Sequence, residues 1–261
     1  MHIKPKKRLG QNFLVDKNIQ KKIVETCGLK NSDTVLEIGS GRGEITDLIA
    51  QKAGQVFALE LDRNLCALLK ERFNDQKNVE VINQDILKFN LRKYFSRTPG
   101  KIKVIGNIPY YISSPIIEHL FKFRDKIEGI FLTVQKEFAQ RVVAPSGSKE
   151  YGSLSCFVRY FAEPKVLFHI SKTCFYPVPK VDSSFFRLDI RRKLPLKAKD
   201  EKLLFKIIRA AFNKRRKTLR NSLEGVIPLQ KLNEFFHKYG IDPNTRPEKL
   251  SLQDFINLAN I

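Results

Sequence analysis

Short apolar runs alternate with stretches of helical periodicity through the first half of this 261-residue chain, and that alternation restricts the fold more than any other feature. The apolar runs predict strands over residues 34–38, 55–60, 79–83, 103–106 and 129–134. Apolar residues recurring every three to four positions predict helices over residues 19–27, 44–52, 63–73 and 114–123. Two later β-rich runs are predicted to complete the sheet as a hairpin, at residues 154–168 and 185–190. Strands that alternate with helices form a parallel sheet covered on both faces, so the sequence predicts an α/β fold.

The last part of the chain is predicted to form a separate helical domain. The composition changes at residues 191–195, Arg-Arg-Lys-Leu-Pro, which we interpret as a linker. Apolar residues at helical spacing follow from Leu203 onwards and again from Leu232. The predicted domains are therefore residues 1–190, with a basic N-terminal arm, and residues 191–261.

Basic residues greatly outnumber acidic ones: 48 Lys and Arg against 27 Asp and Glu give a net charge of +21. A polyanionic partner fits this excess, although a generally lysine-rich proteome would produce it too. Residues 191–261 alone carry 17 basic against 7 acidic residues, which favours phosphate binding over an ordinary solvated helix face. The candidate phosphate-binding residues are Lys6, Lys7, Arg8, Arg209, Lys214, Arg215, Arg216, Lys217 and Arg220.

The cysteines and histidines give no metal signature. The four cysteines are far apart and form no Cys-x-x-Cys pair, so reduced thiols are expected rather than zinc ligands or a disulfide scaffold. The four histidines make no pair at ligand spacing, and no metal is predicted. No apolar run reaches transmembrane length and the first residues lack a secretory signal, so a cytoplasmic protein is expected.

A glycine-rich loop, Gly39-Ser40-Gly41-Arg42-Gly43-Glu44, joins the first predicted strand of the alternating region to the next helix. Glycines at such a place allow a tight turn and a close approach of the backbone to a ligand. Glu60 lies 21 positions after Gly39 and ends the next strand, where a carboxylate can accept hydrogen bonds from ribose hydroxyls. The loop and Glu60 therefore predict a cofactor that contains a nucleoside.

The residue at position 44 separates two cofactor classes. A dinucleotide-binding loop places a third glycine there to allow close helix–strand packing, and Glu44 is too large for that role. A carboxylate at a helix start also competes with pyrophosphate for the positive end of the helix. S-adenosylmethionine has no phosphate and carries a sulfonium cation, so we predict this methyl donor rather than NAD. The absence of a recognisable dehydrogenase constellation of His or Tyr and Lys points the same way.

Polar residues end two further strands. Asp85 can accept a hydrogen bond from an adenine amine while Ile86 packs near that base. Taken singly, Glu60 and Asp85 could equally be helix N-caps. Because ligands of open parallel sheets bind at the carboxyl ends of the strands, glycines, acids and Asn107 at four successive strand ends predict a single site.

The segment Asn107-Ile108-Pro109-Tyr110 has the groups that a poorly nucleophilic exocyclic amine needs. The Asn107 amide oxygen and the Ile108 carbonyl oxygen can both accept hydrogen bonds from one NH2 group. Pro109 has no N–H to compete for them, and the Tyr110 ring offers a face for a base. An ordinary strand-to-turn corner is the alternative. With a methyl donor nearby, the segment predicts direct SN2 methyl transfer from the sulfonium to adenine N6, without a histidine or cysteine base.

The chain resembles the ribosomal small-subunit RNA adenine N6,N6-dimethyltransferases over nearly its whole length. The shared motifs include the opening Leu-Gly-Gln-Asn-Phe-Leu at 9–14, the glycine loop, Glu-Leu-Asp-Arg at 60–63, Gln84-Asp85 and Asn-Ile-Pro-Tyr at 107–110. They continue with 135–139, 151–155, Phe-Tyr-Pro-Val-Pro-Lys-Val-Asp-Ser at 175–183 and Ala-Phe-Asn-Lys-Arg-Arg-Lys at 211–217. Many methyltransferases share the glycine loop, whereas the first motif, the 175–183 segment and the basic run in this order are specific.

The resemblance implies a Rossmann-like S-adenosylmethionine-dependent methyltransferase domain, with a mostly parallel seven-stranded sheet, and a small all-α C-terminal domain that binds RNA. It implies that Phe175 is the second aromatic wall for the target adenine, opposite Tyr110. Ser40 replaces a proline frequent in the family, and Ile108 stands where leucine is frequent. The implied donor-binding residues are Gln11, Asn12, Leu14, Gly39, Gly41, Glu60, Leu61, Asp85, Ile86 and Asn107.

The implied activity is dimethylation of adenosines, two adjacent ones in a hairpin near the 3′ end of small-subunit rRNA, within the immature small subunit. A monomer is expected by default. One alternative is a large-subunit rRNA adenine methyltransferase of the erythromycin-resistance type, which shares the donor site. Another is a non-enzymatic RNA-binding assembly or transcription factor of the same fold, which the intact Asn107, Tyr110, Glu60 and Asp85 disfavour.

Overall fold

The first α-helix of the chain begins at a side-chain cap. The computed structural model describes residues 4–194, 197–214 and 217–261. A 3-10 turn (Lys7–Leu9) and strand β1 (Phe13–Leu14) precede helix α1 (Lys17–Thr26). The Asp16 carboxylate accepts from the backbone N–H of Asn18 at 2.9 Å and of Ile19 at 3.0 Å, and these bonds cap the first turn of α1.

Strands and helices then alternate as predicted. Their bounds are β2 (Thr34–Ile38), α2 (Glu44–Ala50), β3 (Gln55–Glu60), α3 (Arg63–Arg72), β4 (Val79–Asn83), α4 (Leu91–Tyr94), β5 (Ile102–Asn107), α5 (Ser113–Phe121) and β6 (Ile127–Gln135). Every strand predicted in this region is confirmed to within two residues at each end. The strands were predictable because strands buried on both faces are continuous apolar runs, as the buried Val35-Leu36 and Val104-Ile105 illustrate.

The remaining elements carry the chain through the end of the sheet into a helical region. They are α6 (Lys136–Val143), α7 (Ser153–Phe161), β7 (Ala162–Ile170), β8 (Phe175–Tyr176), β9 (Ser183–Ile190), α8 (Glu201–Asn213), α9 (Leu219–Ser222), α10 (Leu229–Tyr239) and α11 (Leu252–Asn260). The helices predicted from Leu203 and from Leu232 are confirmed as α8 and α10. Of the predicted linker at 191–195, Pro195 lies outside the described residues.

One predicted strand is wrong. Residues 154–161 of the run 154–168 lie in helix α7, and β7 begins only at Ala162. The abundance of aromatic and β-branched residues favoured a strand, but the packing is helical. Within the C-terminal region, the Phe157 and Tyr160 rings lie 5.1 and 5.5 Å from the Phe205 ring of α8. Tertiary burial of one helix face therefore overrides strand propensity here.

The main sheet has seven strands in the described part of the chain, in the order β4-β3-β2-β5-β6-β9-β7. Strands β4, β3, β2, β5 and β6 run parallel, and β9 is antiparallel to β6. The register pairs Ile38 with Gly106 and Asn107 with Thr133. Because the chain proceeds outward from β2 on one side and from β5 on the other, the strand order reverses between these two strands. A ligand crevice is expected at the carboxyl ends of β2 and β5.

The residues group into two compact units. The first contains the described residues up to Ala139 together with Lys165–Ile190, and the second contains Gln140–Pro164 together with the described residues from Arg191 to Ile261. This division differs from the predicted one in grouping residues 140–164 with the C-terminal helices. No helix among the described residues has the length and apolar character to cross a membrane.

Each unit has its own core. In the first, side chains of α1, α2 and the sheet pack together, including the fully buried Val35 and Val56. In the second, helices α8, α10 and α11 bury Ile207, Phe235 and Phe255 with no more than 1% exposure. Two hydrophobic cores are what a 261-residue chain of two domains is expected to form.

Candidate active site

A cleft lies in the first unit where the sequence predicted convergence, at the carboxyl ends of β2, β3, β4 and β5. Residues from five segments line it: 9–13, 38–41, 59–65, 84–86 and 107–116. Twelve predicted site residues are among them, namely Gln11, Asn12, Gly39, Gly41, Glu60, Leu61, Asp85, Ile86, Asn107, Ile108, Pro109 and Tyr110. The fold thus brings together residues that are up to 99 positions apart in the chain.

The glycine loop adopts a conformation that other residues rarely reach. Gly39, Gly41 and Gly43 have φ angles of 74°, 60° and 86°, in the left-handed region. A Cβ atom at Gly43 would lie 2.8 Å from the Phe73 ring, so this glycine also lets the loop lie close against α3. The loop backbone is therefore shaped for a ligand and held by close packing behind it.

Glu60 links the glycine loop to the end of β3. The backbone N–H of Gly41 donates to Glu60 Oε2 at 3.0 Å, and the backbone N–H of Asp62 donates to Oε1 at 2.9 Å. Burial raises the pKa of Glu60, while these backbone hydrogen bonds oppose the shift. Each carboxylate oxygen keeps a second lone pair, with which it can accept a hydrogen bond from a ribose hydroxyl.

A second acidic residue, Glu37, is buried beneath the loop and was missed by the sequence analysis. Thr46 Oγ1 donates to Glu37 Oε2 at 2.5 Å. Burial raises the pKa of Glu37 to about 7, and the nearby Glu60 and Glu44 contribute in the same direction. The carboxyl group does not line the cleft, so it supports the loop from behind.

Asp85 caps a turn and also faces the cleft, so both roles considered for it are compatible. Its carboxylate accepts from the backbone N–H of Leu87 at 2.9 Å, at the start of the 3-10 turn Ile86–Lys88. Ile86 is buried beside it. The second carboxylate oxygen of Asp85 can accept a hydrogen bond from a ligand in the cleft.

The amide of Asn107 is oriented by the N-terminal segment. Asn107 Nδ2 donates to the backbone carbonyl oxygen of Asn12 at 2.9 Å, which leaves Oδ1 as the amide's acceptor. The Ile108 N–H donates to the Thr133 carbonyl oxygen at 3.4 Å, while the Ile108 carbonyl oxygen has no partner among the described residues. Two acceptor oxygens on adjacent residues are therefore available at the cleft.

Tyr110 presents its ring beside these oxygens. Its hydroxyl shares a hydrogen bond of 2.6 Å with Oγ of the buried Ser183. Burial raises the pKa of Tyr110, and the nearby Asp182 adds to the shift. The neutral hydroxyl, held by Ser183, fixes the ring plane at the cleft wall.

Two predicted site residues are not brought to the cleft. Leu14 and Phe175 are partners in the antiparallel pairing of β1 with β8, and both side chains are buried in the core with 4% and 1% exposure. Successive side chains of a strand point to opposite faces, so the neighbours differ. Phe13 lines the cleft and Tyr176 is 56% exposed. Phe175 is therefore not among the lining residues of the cleft in this structure, and its role as a second wall for the target adenine stays a prediction.

One predicted RNA-binding residue has another partner. Lys6 Nζ donates to Asp62 Oδ1 at 2.7 Å, so its charge is used within the first unit. Lys7 and Arg8 are exposed, as are Arg209, Lys214, Lys217 and Arg220 in the second unit. Arg215 and Arg216, also predicted to bind RNA, lie outside the described residues.

Several lining residues were missed. The clearest is Tyr111, whose side chain is 62% exposed at the cleft, next to the predicted Tyr110. In the sequence, the position of Tyr111 directly after Tyr110 of the Asn-Ile-Pro-Tyr motif was the signal that could have identified it. Asp62, which was recognised only as part of the Glu-Leu-Asp-Arg motif, supports the cleft from behind. Its side chain accepts a hydrogen bond from Lys6, and its backbone N–H donates to Glu60. All four cysteines are unpaired thiols, as predicted.

Comparison with known structures assigns the class. A crystal structure of a dimethyladenosine transferase from Plasmodium falciparum matches with a TM-score of 0.82 and 27% identity, over 94% of this chain and 95% of that one. The 23S rRNA methyltransferase ErmE matches with a TM-score of 0.74 and 26% identity, over 96% of this chain and all of the other. With the glycine loop and strand-end cleft, these similarities define a Rossmann-like methyltransferase fold.

The family follows from sequence. The model of the ribosomal RNA adenine dimethylase family matches residues 2–261, and the chain belongs to this family. The ribosomal RNA small subunit methyltransferase A of Lachnoclostridium phytofermentans is 41% identical over 98% of this chain and 90% of the relative. The protein of that name from Caldanaerobacter subterraneus subsp. tengcongensis is 42% identical over 99% and 97%. The resemblance predicted from the motifs is confirmed.

Proposed function

We propose that this protein transfers methyl groups from S-adenosylmethionine to N6 of adenosines in small-subunit ribosomal RNA, two to each adenosine. One observation carries the proposal. Asn107 and Ile108, each with an acceptor oxygen left free by the described residues, line the same cleft as Tyr110, the glycine loop and Glu60. Family membership supports the reaction type, and the names of the 41% and 42% identical relatives support the small subunit.

The composition of the cleft supports the methyl donor. Among the described residues that line it, there are two carboxylates, Glu60 and Asp85, and neither lysine nor arginine. This lining suits a nucleoside that carries a cation and no phosphate, and it would repel the pyrophosphate of a dinucleotide. Glu60 would hold the ribose, Asp85 the adenine amine, and the backbone of Gly39 and Gly41 the methionine part. Bound there, S-adenosylmethionine supplies an electrophilic methyl group, whose bond to sulfur breaks as a bond to nitrogen forms.

The protein's own residues would activate the nucleophile by hydrogen bonding. The N6 lone pair of adenine is delocalised into the ring, so nucleophilicity limits the reaction. As N6 becomes tetrahedral, its N–H groups become more acidic, and hydrogen bonds to Asn107 Oδ1 and the Ile108 carbonyl strengthen. Contacts that are stronger in the transition state than in the ground state accelerate the reaction. The proton leaves N6 after methylation, so no side-chain base is required.

A second methylation is compatible with the same groups. After the first transfer, N6 keeps one N–H, which can still donate to one of the two oxygens. Unstacking the target base from its RNA costs free energy, which stacking on Tyr110 would offset. The basic residues of both units would bind RNA phosphates, on an immature small subunit in the cytoplasm and as a monomer. Two adjacent adenosines in a hairpin near the 3′ end are the proposed targets.

The discriminating experiment offers labelled S-adenosylmethionine with three substrates: naked small-subunit rRNA, unmethylated small subunits and large subunits. Label recovered as N6,N6-dimethyladenosine from small subunits is the expected result. The structural similarity to ErmE makes large subunits the informative control, because label there would replace our proposal with the large-subunit activity. Binding to rRNA without transfer of label would instead support a non-enzymatic RNA-binding role.

A further inference from the structure

The N-terminal strap, which we define as residues 6–13, forms one wall of the cleft. Besides the strand pairing of Phe13 with Tyr176, two side-chain ties hold it to the rest of the first unit. Residues 9–13 of the strap line the cleft. One tie is the hydrogen bond from Asn107 to the Asn12 carbonyl oxygen. The other is a cluster around Asp62, which no part of the proposed reaction uses.

Both carboxylate oxygens of Asp62 accept hydrogen bonds from side chains of the strap. Oδ1 accepts from Lys6 Nζ at 2.7 Å, and Oδ2 accepts from Gln11 Nε2 at 3.2 Å. The backbone N–H of Lys6 donates to Gln11 Oε1 at 2.7 Å, which closes a ring of three residues. The strap is thereby held at both ends of its 3-10 turn, Lys7–Leu9.

Asp62 also contacts the site from behind. Its backbone N–H donates to Glu60 Oε1, and Glu60 Oε2 accepts from Gly41 in the glycine loop. Two carboxylates in series therefore connect three walls of the cleft: the strap, the end of β3 and the glycine loop. One hydrogen bond, from the Asp62 N–H to Glu60 Oε1, thus links the strap cluster to Glu60.

Lys6 differs from the neighbouring basic residues because it compensates the buried charge of Asp62. The Asp62 side chain is fully buried, and that of Lys6 is one-third exposed. Burial would raise the pKa of Asp62, but the hydrogen bonds from Lys6, Asn64 and Gln11 outweigh it and lower the pKa. A buried carboxylate needs such compensation, whereas the neighbouring Lys7 and Arg8 point to solvent. Of the three basic residues of the strap, Lys6 therefore has an internal partner and Lys7 and Arg8 face outward.

We propose that Lys6, Gln11 and Asp62 are positioning residues that couple the order of the N-terminal strap to binding of the methyl donor. The inference rests on the proposed function of the cleft. If the strap is already ordered in the free protein, less free energy is lost in ordering it when the donor binds. By thermodynamic reciprocity, the bound donor stabilises the ordered strap. In this proposal Lys6 affects the affinity for the methyl donor through the strap, and it does not bind RNA phosphates.

The test compares Lys6→Met with Lys7→Met, which removes an equal charge next door, and with the conservative Lys6→Arg. Hydrogen exchange of residues 6–13 is measured in the free protein, and the affinity for S-adenosylhomocysteine is measured by calorimetry without RNA. We expect Lys6→Met to speed strap exchange and weaken binding about tenfold, within the range of about 5–150-fold typical of coupled sites. Lys7→Met should match wild type in both measurements, and Lys6→Arg should restore both.

Two results would overturn the coupling. Strap exchange in Lys6→Met equal to that of wild type would mean that the Lys6–Asp62 ion pair does not hold the strap. Faster exchange with unchanged affinity would mean that the strap is held but has no effect on the donor. If wild-type protein binds no S-adenosylhomocysteine, the proposed function fails, whereas the exchange measurement still decides whether Lys6 orders the strap.

Discussion

Asn107 Nδ2 donates a 2.9 Å hydrogen bond to the carbonyl oxygen of Asn12, although the two residues are 95 positions apart. The bond engages the Nδ2 donor of the amide, so the orientation of the amide is fixed and Oδ1 stays available as an acceptor. It also ties the end of β5 to the N-terminal segment. A motif residue proposed to contact the target amine therefore depends on a second motif for its orientation.

Asn107→Ala should abolish most methylation while leaving part of the donor affinity. Loss of one preorganised polar contact to a transition state costs about 3 kcal/mol, so kcat should fall by about 10² to 10³-fold. Single-turnover assays with unmethylated small subunits measure the rate, and calorimetry with S-adenosylhomocysteine measures the affinity. Asn31→Ala, at an exposed position before β2, is the control. Full turnover by Asn107→Ala would remove Asn107 from the reaction.

Tyr110 allows the ring and the hydroxyl to be separated. Tyr110→Phe keeps the stacking face and loses the bond to Ser183, so activity should stay within a few-fold of wild type and stability should fall by about 1 kcal/mol. Tyr110→Ala loses base stacking, worth about 1–3 kcal/mol, so kcat/KM should fall by about 5- to 150-fold. Steady-state kinetics on small subunits checks both. An equal loss in the two variants would assign the role to the hydroxyl instead.

The exposed basic residues of the second unit should make RNA binding salt-dependent. Each phosphate contact contributes about 0.7 to 0.9 to the slope of log K against log salt. Arg209→Ala and Lys214→Ala should each reduce that slope by about this amount. Lys101→Ala removes an exposed charge just before the amino end of the central strand β5, whereas the cleft lies at the carboxyl ends of the strands, and should leave the slope unchanged. Filter binding of rRNA across a salt series measures it, and a flat series would contradict phosphate binding.

The sequence was sufficient for the parts of the fold that depend on local pattern. Strands β2 to β6 are apolar runs at a regular distance from helical stretches, so their positions in the chain and their parallel direction could be predicted. Glu60, Asp85 and Asn107 could be placed together because each ends such a strand. Helix α7 could not be predicted from the sequence, because its aromatic residues fit a strand equally well. Only the structure shows that Phe205 of α8 packs against them.

The rest of the site depends on pairings between distant residues. The strands β1 and β8 have two residues each, and nothing in their composition indicates that Phe13 pairs with Tyr176. That register decides that Leu14 and Phe175 face the core. Lys6 likewise sits in a basic arm that suggests RNA, and its partner Asp62 is 56 positions away. Contacts of this kind have no local pattern, so a motif can identify the segment without the side-chain direction.

Gly43 offers a stability test with a matched control. Gly43 and Gly100 both have positive φ, at 86° and 79°, so alanine costs about 1–2 kcal/mol of backbone strain at either position. An added Cβ at Gly100 meets nothing within 4 Å, whereas at Gly43 it would lie 2.8 Å from the Phe73 ring. Gly43→Ala should therefore lose about 1–3 kcal/mol more than Gly100→Ala in urea unfolding. Equal losses would mean that the loop does not depend on close packing against α3.

Glu37 should give the protein a specific pH dependence of stability. Burial raises the pKa of its carboxyl group to about 7 in the folded protein, above the value of an unfolded glutamic acid. The folded state therefore holds a proton that the unfolded state releases at lower pH, so stability from this group is present at low pH. It is lost as the pH rises through about 7, where the buried carboxylate becomes charged.

Glu37→Gln removes this titration and keeps a side chain that can bond to Thr46 Oγ1. The free energy of unfolding of the variant, relative to wild type, should rise by about 2.5 kcal/mol between pH 5 and pH 8, since one pKa unit corresponds to about 1.4 kcal/mol and part of the shift falls below pH 5. Urea unfolding of both proteins at pH 5, 6, 7 and 8 measures the difference, from which all other titrating groups cancel. A difference that stays constant over this range would show that Glu37 is already ionised at pH 5, and that Thr46 stabilises the carboxylate against its burial.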